Sequence, residues 1–178
     1  MKLYVARHGE TEWNALNKVC GRTDISLTDK GIMQAELLAQ EALKAGVEVI
    51  ISSPMKRALQ TAEPASRLCG VPIITDGRLI EMDYGIYEGV DRGNEDYLAN
   101  KRFFAYRYPK GESMLQVAAR VYGLLDEIRE KHSGKKVLLV CHGGVCRIIN
   151  TYFRDMTNEE FFYYTAKNAL LEEYEFDN

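Results

Sequence analysis

Long hydrophobic runs are missing from this sequence of 178 residues. The longest apolar segments, such as residues 137–141, have the length of a β-strand, whereas a membrane-spanning helix needs about 20 apolar residues. The apolar segment near the N-terminus is too short for a signal peptide and is followed at once by charged residues. We therefore expect a cytoplasmic protein with no membrane partner.

An excess of positive charge and a cysteine framework are also missing. The net charge of −3 gives no overall positive field, so we expect no nucleic-acid partner, and any bound anion needs a local cluster of cations. The four cysteines contain no CxxC pair and are too few for a disulfide scaffold, which is typical of reduced thiols. Cys141, His142 and Cys146 match no zinc-binding spacing, so no metal is expected there.

The pattern along the chain predicts the fold class. No internal repeat, low-complexity segment or linker marks a second domain, so we expect one domain over residues 1–178. Strand-like and helix-like segments alternate, which favours an α/β fold with three layers, a mostly parallel central sheet flanked by helices. Strands are expected at 3–6, 47–51, 71–74, 137–141 and 169–176, with the proline at position 72 placing the third strand at a sheet edge.

Helix starts are also recognisable. Thr28 is expected to cap a helix whose buried stripe comprises Ile32, Ala35, Leu38, Ala39 and Ala42 and which ends at Gly46. Ser53 is expected to cap a helix with Pro54 in its first position. Ser113 and Gln116 have the spacing of a capping box.

Three apolar strands end in residues suited to binding an anion. These endings are Arg7-His8, Ser53-Pro54 with Arg57, and His142-Gly143-Gly144. Because neighbouring parallel strands end at the same sheet edge, the sequence predicts one pocket with two arginines, two histidines and helix N-termini, which suits a phosphoryl group. Adjacent cations oppose a metal, so none is expected. Gly9 is expected to allow a sharp turn that brings backbone amides close to the bound group.

Two segments allow alternatives on local grounds. Glu81 lies in a glycine-bounded loop, where a carboxylate is usually only solvated. Residues 91–108 mix basic and aromatic side chains, which fits either a substrate lid or a helix packed by its aromatic residues, and packing is favoured for most of them.

Several motifs in order give the sequence a resemblance to a known family. They are Arg7-His8-Gly9-Glu10-Thr11-x-Trp13-Asn14, Leu27-Thr28-x-x-Gly31-x-x-Gln34-Ala35, Ser52-Ser53-Pro54-x-x-Arg57-Ala58-x-x-Thr61-Ala62, Glu81 with Tyr87-Glu88-Gly89, Gly111-Glu112-Ser113 and Val140-Cys141-His142-Gly143-Gly144. Together they resemble the histidine phosphatase superfamily, the phosphoglycerate mutase-like proteins, over residues 1–153. The resemblance implies the α/β fold of the phosphoglycerate mutase-like proteins and an activity that needs no cofactor.

The resemblance also implies roles for individual residues. His8 is the expected nucleophile, forming a phosphohistidine, and Glu81 is the expected proton donor. The phosphoryl oxygens would be held by Arg7, Arg57 and His142. Additional substrate contacts would come from Asn14, Gly21 and the amide of Gly143.

The expected activity is a metal-independent phosphomonoesterase of the histidine acid phosphatase type, acting on a small phosphorylated metabolite. Its partner is then a small-molecule phosphate ester, and a homo-oligomer is left open.

The segment Cys20-Gly21-Arg22 departs from the glutamine that many phosphatases have before this glycine and partly resembles the mutase branch. A phosphoglycerate mutase is the alternative, although the interval from Glu81 to His142 is short and the chain ends soon after its last strand. A non-catalytic phospho-ligand-binding module is a third alternative, against which the complete set of reactive residues argues.

Overall fold

The central sheet contains five strands. The computed structural model describes residues 1–176. Its strands are β1 (Lys2–Arg7), β2 (Val49–Ser52), β3 (Ile73–Thr75), β4 (Val137–Cys141) and β5 (Leu171–Glu175). They lie in the order β3-β2-β4-β1-β5, and all pairs are parallel except β1 with β5. The predicted edge position of the third strand is confirmed.

Helices cover both faces of the sheet. They are α1 (Glu12–Ala15), α2 (Asp29–Ala45), α3 (Lys56–Cys69), α4 (Glu95–Lys101), α5 (Met114–Lys131), α6 (Gly143–Phe153) and α7 (Asn158–Tyr163). Within residues 1–176, no helix combines the length and apolarity needed to cross a bilayer. The expected three-layer α/β domain is confirmed, although its predicted end at residue 178 lies outside the described residues.

Strand β4 shows why the sheet has two covered faces. All five of its residues are buried, as its unbroken apolar sequence predicts for a central parallel strand. Successive side chains point to opposite faces, so Leu138 and Val140 join the core beneath α2 and α3, while Val137 and Leu139 join the core beneath α5 and α6. Burial on both sides fixes the register of the strand and hence the position of the residues that follow it.

Two expectations about helices were wrong. Helix α3 begins at Lys56 rather than Pro54, and Met55 is its N-cap without a side-chain cap. The hydroxyl of Ser53 instead accepts a hydrogen bond from the Met55 amide and lies 2.8 Å from His142. In α2, Ile32 is 48% exposed, because Gly31 takes the buried position at the start of the helix.

The Thr28 cap, the C-terminal Gly46 of α2 and the Ser113–Gln116 capping box are all confirmed. Gly46 adopts a positive φ of 72°, a conformation that glycine tolerates without steric cost.

The first loop is fixed by close backbone contact between Gly9 and Gly31. A Cβ added to Gly9 would overlap the Gly31 carbonyl, and one added to Gly31 would overlap the Glu10 carbonyl. The amide of Gly9 donates to the hydroxyl of Thr61 at 2.9 Å. The expectation that this amide turns toward a bound group is therefore wrong. The absence of a side chain at Gly9 instead allows the backbone of α2 at Gly31 to pack closely against the loop.

We predict opposite effects for two glycine-to-alanine changes in helices. Gly31→Ala should lower the free energy of unfolding by about 1–3 kcal/mol, because its methyl group meets the Glu10 carbonyl. Gly123→Ala in α5 should raise it by about 0.5–1 kcal/mol, since nothing lies within 4 Å of the added Cβ. Urea denaturation measures both values, and equal stabilisation by the two changes would contradict the predicted contact.

Candidate active site

The strand register brings the predicted reactive residues together. Arg7 pairs with Cys141 and Ser52 with Val140, so β1, β2 and β4 end at one level. The His8 amide then donates to the Cys141 carbonyl at 2.9 Å. As a result, the ring centroids of His8 and His142 lie 5.2 Å apart. The predicted meeting of the three strand ends is confirmed.

The imidazole of His8 is held in a single tautomer. Its Nδ1 lies 2.7 Å from the Gly9 carbonyl oxygen, and because a carbonyl only accepts, Nδ1 carries the proton and donates it. Burial lowers the pKa of His8 well below 6.5, and the charges of Arg7 and Arg57 lower it further. At neutral pH the ring is therefore uncharged, and Nε2 keeps a lone pair available for nucleophilic attack.

His142 has both ring nitrogens engaged. The Nε–H of Arg57 donates to its Nδ1 at 3.2 Å, so Nε2 carries the ring proton and donates to Ser53 Oγ at 2.8 Å. Burial lowers the pKa of His142 well below 6.5, with Arg57 and His8 as the next causes. A phosphoryl contact from His142 therefore requires that its bond to Ser53 be exchanged.

Arg57 lies behind the histidines rather than on the cavity surface. Its side chain is fully buried, and besides His142 it donates to the carbonyls of Thr23 and Gly21, each at 2.8 Å. These bonds use three of the five N–H groups of the guanidinium. Two N–H groups have no hydrogen-bond partner among the described residues, although Arg57 does not line the cavity.

Of the two arginines predicted at the strand ends, Arg7 lines the cavity and Arg57 does not. Its Nη1 donates to the Ala166 carbonyl at 3.0 Å. Its Nε is buried and has no hydrogen-bond partner within residues 1–176. Because an unpaired buried donor on a charged group is unfavourable, Arg7 is poised for an anion.

The carboxyl group of Glu81 is fixed at the start of α6. Its two oxygens accept from the amides of Met82 at 2.8 Å and Gly144 at 2.9 Å. A Cβ on Gly144 would overlap the carboxyl group, so this position requires glycine. Gly143 was predicted from the sequence as a site residue, whereas the hydrogen bond from the Gly144 amide to Glu81 was not predicted.

Two of the remaining predicted residues have different surroundings. Asn14 lines the cavity, with Oδ1 accepting from the Thr11 amide and from Asn168. Gly21 does not line it, and contributes the carbonyl that holds Arg57. A direct substrate contact by Gly21 stays a prediction.

The cavity has a volume of about 160 Å³. Six of the predicted reactive residues and their neighbours line it: Arg7, His8, Asn14, Glu81, Gly143 and Gly144. The lining also includes Arg92, Tyr97, Leu98, Lys101, Arg147, Tyr164, Thr165 and Ala166. Residues of the 91–108 segment therefore form one wall of the cavity.

The structure separates the basic residues of the segment 91–108. Arg92 and Lys101 line the cavity, whereas Arg102 is exposed and does not. Packing by aromatic residues is confirmed for Tyr97 and Tyr108, which are stacked and buried. Sequence reasoning missed Arg147, for which the available signal was an arginine inside the apolar run of α6.

The arrangement combines a neutral nucleophile, a carboxyl group and arginines in a small cavity. Such a combination can displace a group at phosphorus, because the cations stabilise the phosphoryl oxygens while His8 attacks. Within residues 1–176, no cluster of three or more histidine, cysteine, aspartate or glutamate side chains could hold a metal ion.

Known proteins resemble the chain in sequence and structure. The family model for the histidine phosphatase superfamily, branch 1, matches residues 3–178. A probable phosphoglycerate mutase of Yersinia pestis is 39% identical over 150 residues, which cover 80% of this chain and 70% of the relative. A mycobacterial glucosyl-3-phosphoglycerate phosphatase has a TM-score of 0.87 with 26% identity, covering 97% of this chain and 91% of that one. A phosphoserine phosphatase of Entamoeba histolytica, solved with 3-phosphoglyceric acid, has a TM-score of 0.82 with 28% identity. The match covers 97% of this chain and 89% of that one.

We predict that stability falls with acidification because two histidines are buried as neutral groups. Their native pKa values lie below 6.5, so below that pH the unfolded chain binds protons that the native protein does not. Stability is then fully present above pH 6.5 and is lost as the pH decreases. Each histidine that stays neutral contributes a loss of up to about 1.4 kcal/mol per pH unit.

Urea denaturation between pH 7.5 and pH 5.5 tests this loss. His8→Gln should reduce the pH dependence, since glutamine does not titrate. An unchanged pH dependence in this variant would show that native His8 is protonated in the same range as in the unfolded chain.

Proposed function

Since the chain belongs to the histidine phosphatase superfamily, we propose that it is a metal-independent phosphomonoesterase that hydrolyses a small phosphorylated metabolite through a phosphohistidine on His8. The observation that carries the proposal is the state of His8. Its Nδ1 donates to the Gly9 carbonyl, which leaves the neutral Nε2 as the nucleophile beside the unpaired Nε of Arg7.

In the first step, Nε2 of His8 attacks the phosphorus while the ester P–O bond breaks. The phosphoryl oxygens are stabilised by Arg7, by the free N–H groups of Arg57 and by the amide of Gly143. Glu81 gives its proton to the departing alkoxide, so the alcohol leaves neutral. His142 joins the phosphoryl contacts when its bond to Ser53 is exchanged.

In the second step, water attacks the phosphorus of the phosphohistidine. Glu81, now a carboxylate, accepts a proton from this water as the N–P bond breaks, which restores neutral His8 and releases phosphate. The sum of both steps is the hydrolysis of one phosphate ester to an alcohol and phosphate.

Small phosphate esters occur in the names of all three relatives described above. The cavity of about 160 Å³ is small beside the roughly 300–1,000 Å³ of sites for drug-sized ligands, which supports a small substrate. The acid-phosphatase type and the cytoplasmic location stay predictions within this proposal.

A phosphoglycerate mutase is the second candidate, because the Yersinia relative is named as a probable one. Incubation with 3-phosphoglycerate separates the two activities. Hydrolysis predicts net release of inorganic phosphate without added 2,3-bisphosphoglycerate. Isomerisation to 2-phosphoglycerate that is primed by the bisphosphate, without net phosphate release, would overturn the proposal.

We predict that His8→Ala abolishes both turnover of p-nitrophenyl phosphate and formation of the phosphoenzyme. The wild-type protein should be trapped with a phosphoryl group that is labile to acid and stable to alkali, and EDTA should leave its turnover unchanged. His132→Ala, at the C-terminal end of α5, is the matched control and should retain both. Covalent phosphate on the His8→Ala variant would place the nucleophile elsewhere.

We predict that Glu81→Gln slows an alkyl phosphate by about 10²–10⁴-fold, the usual contribution of general acid catalysis. An aryl phosphate such as p-nitrophenyl phosphate should be affected far less, because its leaving group hardly needs a proton. Single-turnover rates of phosphoenzyme formation are measured, since the later hydrolysis also uses Glu81.

Glu88→Gln is the control for this prediction. Glu88 lies in the same loop but binds the amide of Arg22 and the hydroxyl of Thr23, so any effect should be equal for the two leaving groups. Equal losses in the Glu81→Gln variant would show that Glu81 is not the acid.

A further inference from the structure

We propose that Glu88 is a positioning residue of the active site, whose carboxylate holds the loop at residues 21–23 so that two carbonyls of this loop hold Arg57 against His142. Glu88 does not line the cavity, so it acts through Arg57 rather than on the substrate. The inference rests on the proposed function, because that function assigns Arg57 and His142 to the phosphoryl group.

The carboxyl group of Glu88 is bound by three donors of this loop. Its Oε1 accepts from the amide of Arg22 at 2.9 Å. Its Oε2 accepts from the hydroxyl of Thr23 at 2.8 Å and from the amide of Thr23 at 3.4 Å. A carboxylate suits such a group of donors, because it offers two oxygens that only accept. Without Glu88 these three donors lose their acceptor, and the loop loses the contacts that order it.

The main chain next to Glu88 is fixed against the same part of the molecule. The amide of Gly89 donates to the carbonyl of Val19 at 2.9 Å, and the amide of Val19 donates to the carbonyl of Val90 at 2.8 Å. These backbone bonds fix the residues just before the loop, whereas the side chain of Glu88 fixes residues inside it.

The contact between Glu88 and the loop is close enough to require glycine at position 21. A Cβ added to Gly21 would overlap Oε1 of Glu88 and the carbonyl oxygen of Met82. The backbone of the loop therefore lies directly between the carboxylate of Glu88 and the guanidinium of Arg57.

One peptide group carries contacts to both side chains. The amide of Arg22 and the carbonyl of Gly21 belong to the same peptide plane. The amide donates to Glu88, and the carbonyl accepts from Nη2 of Arg57 at 2.8 Å. A negative charge bound to the N–H polarises the peptide group and strengthens its carbonyl as an acceptor, because hydrogen bonds in a chain are cooperative. The charge of Glu88 thus reaches Arg57 through a peptide group.

The orientation of Arg57 follows from these bonds. Its Nη1 donates to the carbonyl of Thr23 at 2.8 Å, so two carbonyls of the loop fix the plane of the guanidinium. The Nε–H is then directed at Nδ1 of His142, at 3.2 Å. A displaced loop would turn the guanidinium and weaken this last bond, so a change at Glu88 would alter Arg57 and His142 together.

The indirect contact also preserves the positive charge of Arg57. Within residues 1–176, neither Glu88 nor Arg57 takes part in an ion pair. A carboxylate in direct contact with the guanidinium would offset the charge that attracts phosphoryl oxygens. With a peptide group between them, Glu88 can position Arg57 without cancelling its charge.

A double-mutant cycle with Arg57 tests the proposal. We expect Glu88→Ala to lower kcat for p-nitrophenyl phosphate by about 10–100-fold, since a misplacement of about 1 Å can cost about 100-fold. In the Arg57→Ala background the same change should cost no more than about twofold, because Glu88 then has no guanidinium to position. Equal losses in the two backgrounds would overturn the proposal.

Two further variants separate charge and general stability from positioning. Glu88→Gln keeps an acceptor oxygen but loses the charge, so it should lower kcat by about three- to tenfold, the difference between hydrogen bonds to an ion and to a neutral group. Glu48→Gln is the matched control. Glu48 also accepts from a backbone amide, that of Lys136 at 3.0 Å, but at the start of β2 and β4 and hence at the opposite sheet edge. Its kcat should equal that of the wild type.

Exchange of the Arg57 Nε proton with water provides a measurement that needs no turnover. Nuclear magnetic resonance identifies this proton by its absence in the Arg57→Lys variant. Glu88→Gln should accelerate its exchange by about tenfold or more, because the guanidinium is held less firmly, whereas Glu48→Gln should leave it unchanged. An unchanged exchange rate in Glu88→Gln would contradict the positioning role.

The outcomes separate this proposal from the proposed function. Failure of the wild-type protein to release phosphate from any ester would overturn the proposed function, while proton exchange at Arg57 would still decide the role of Glu88. Phosphate release together with equal losses in the two backgrounds of the cycle would overturn the positioning role alone. Should Glu88→Ala or Arg57→Ala fail to fold, proton exchange in Glu88→Gln decides.

Discussion

The cavity depends on arginines that are held by backbone carbonyls rather than by carboxylates. Arg7 donates to Ala166, Arg57 to Thr23 and Gly21, Arg92 to Lys18, and Arg147 to Tyr164. A carbonyl oxygen fixes the position of a guanidinium but carries no net charge, so the positive charge is not cancelled. A carboxylate in the same place would have formed an ion pair and left little attraction for a substrate anion. The desolvation of these cations is therefore offset only in part until an anion binds.

The same uncancelled charge contributes to the protonation state of His8. Burial lowers the pKa of His8 most, and the charges of Arg7 and Arg57 lower it further, so the ring remains neutral. The Gly9 carbonyl then selects the tautomer with the proton on Nδ1. In the proposed reaction, the cations that attract the phosphate would thus also keep the attacking nitrogen unprotonated. One arrangement of charge would then serve both substrate binding and nucleophile activation.

Much of this arrangement could be predicted from local sequence. The apolar runs that end in Arg7-His8 and in His142 predict strands, and parallel strands end at a common edge. The role of Ser53 could not be predicted, because its bond to His142 joins residues separated by 89 positions. The position of Arg147 in the cavity could not be predicted for the same reason. Its guanidinium donates to the Tyr164 carbonyl and lies near Lys101 of α4, and both contacts depend on the tertiary fold. Sequence patterns describe elements well, but they carry little information about which loop carbonyls meet a given guanidinium.

Carbonyl anchoring also makes the positions of two cavity arginines depend on loops. His8 and His142 follow strand ends, whose positions are fixed by sheet register and by burial on both faces. Arg92 and Arg147 instead take their positions from carbonyls in the connections at residues 18 and 164. The connection at residue 164 leads directly to Ala166, whose carbonyl accepts from Arg7, and to Asn168, whose side-chain amide donates to the His8 carbonyl. The loop that positions Arg147 therefore also supports the strand end that carries His8, so a change in this loop would affect the cavity cations and the histidine together.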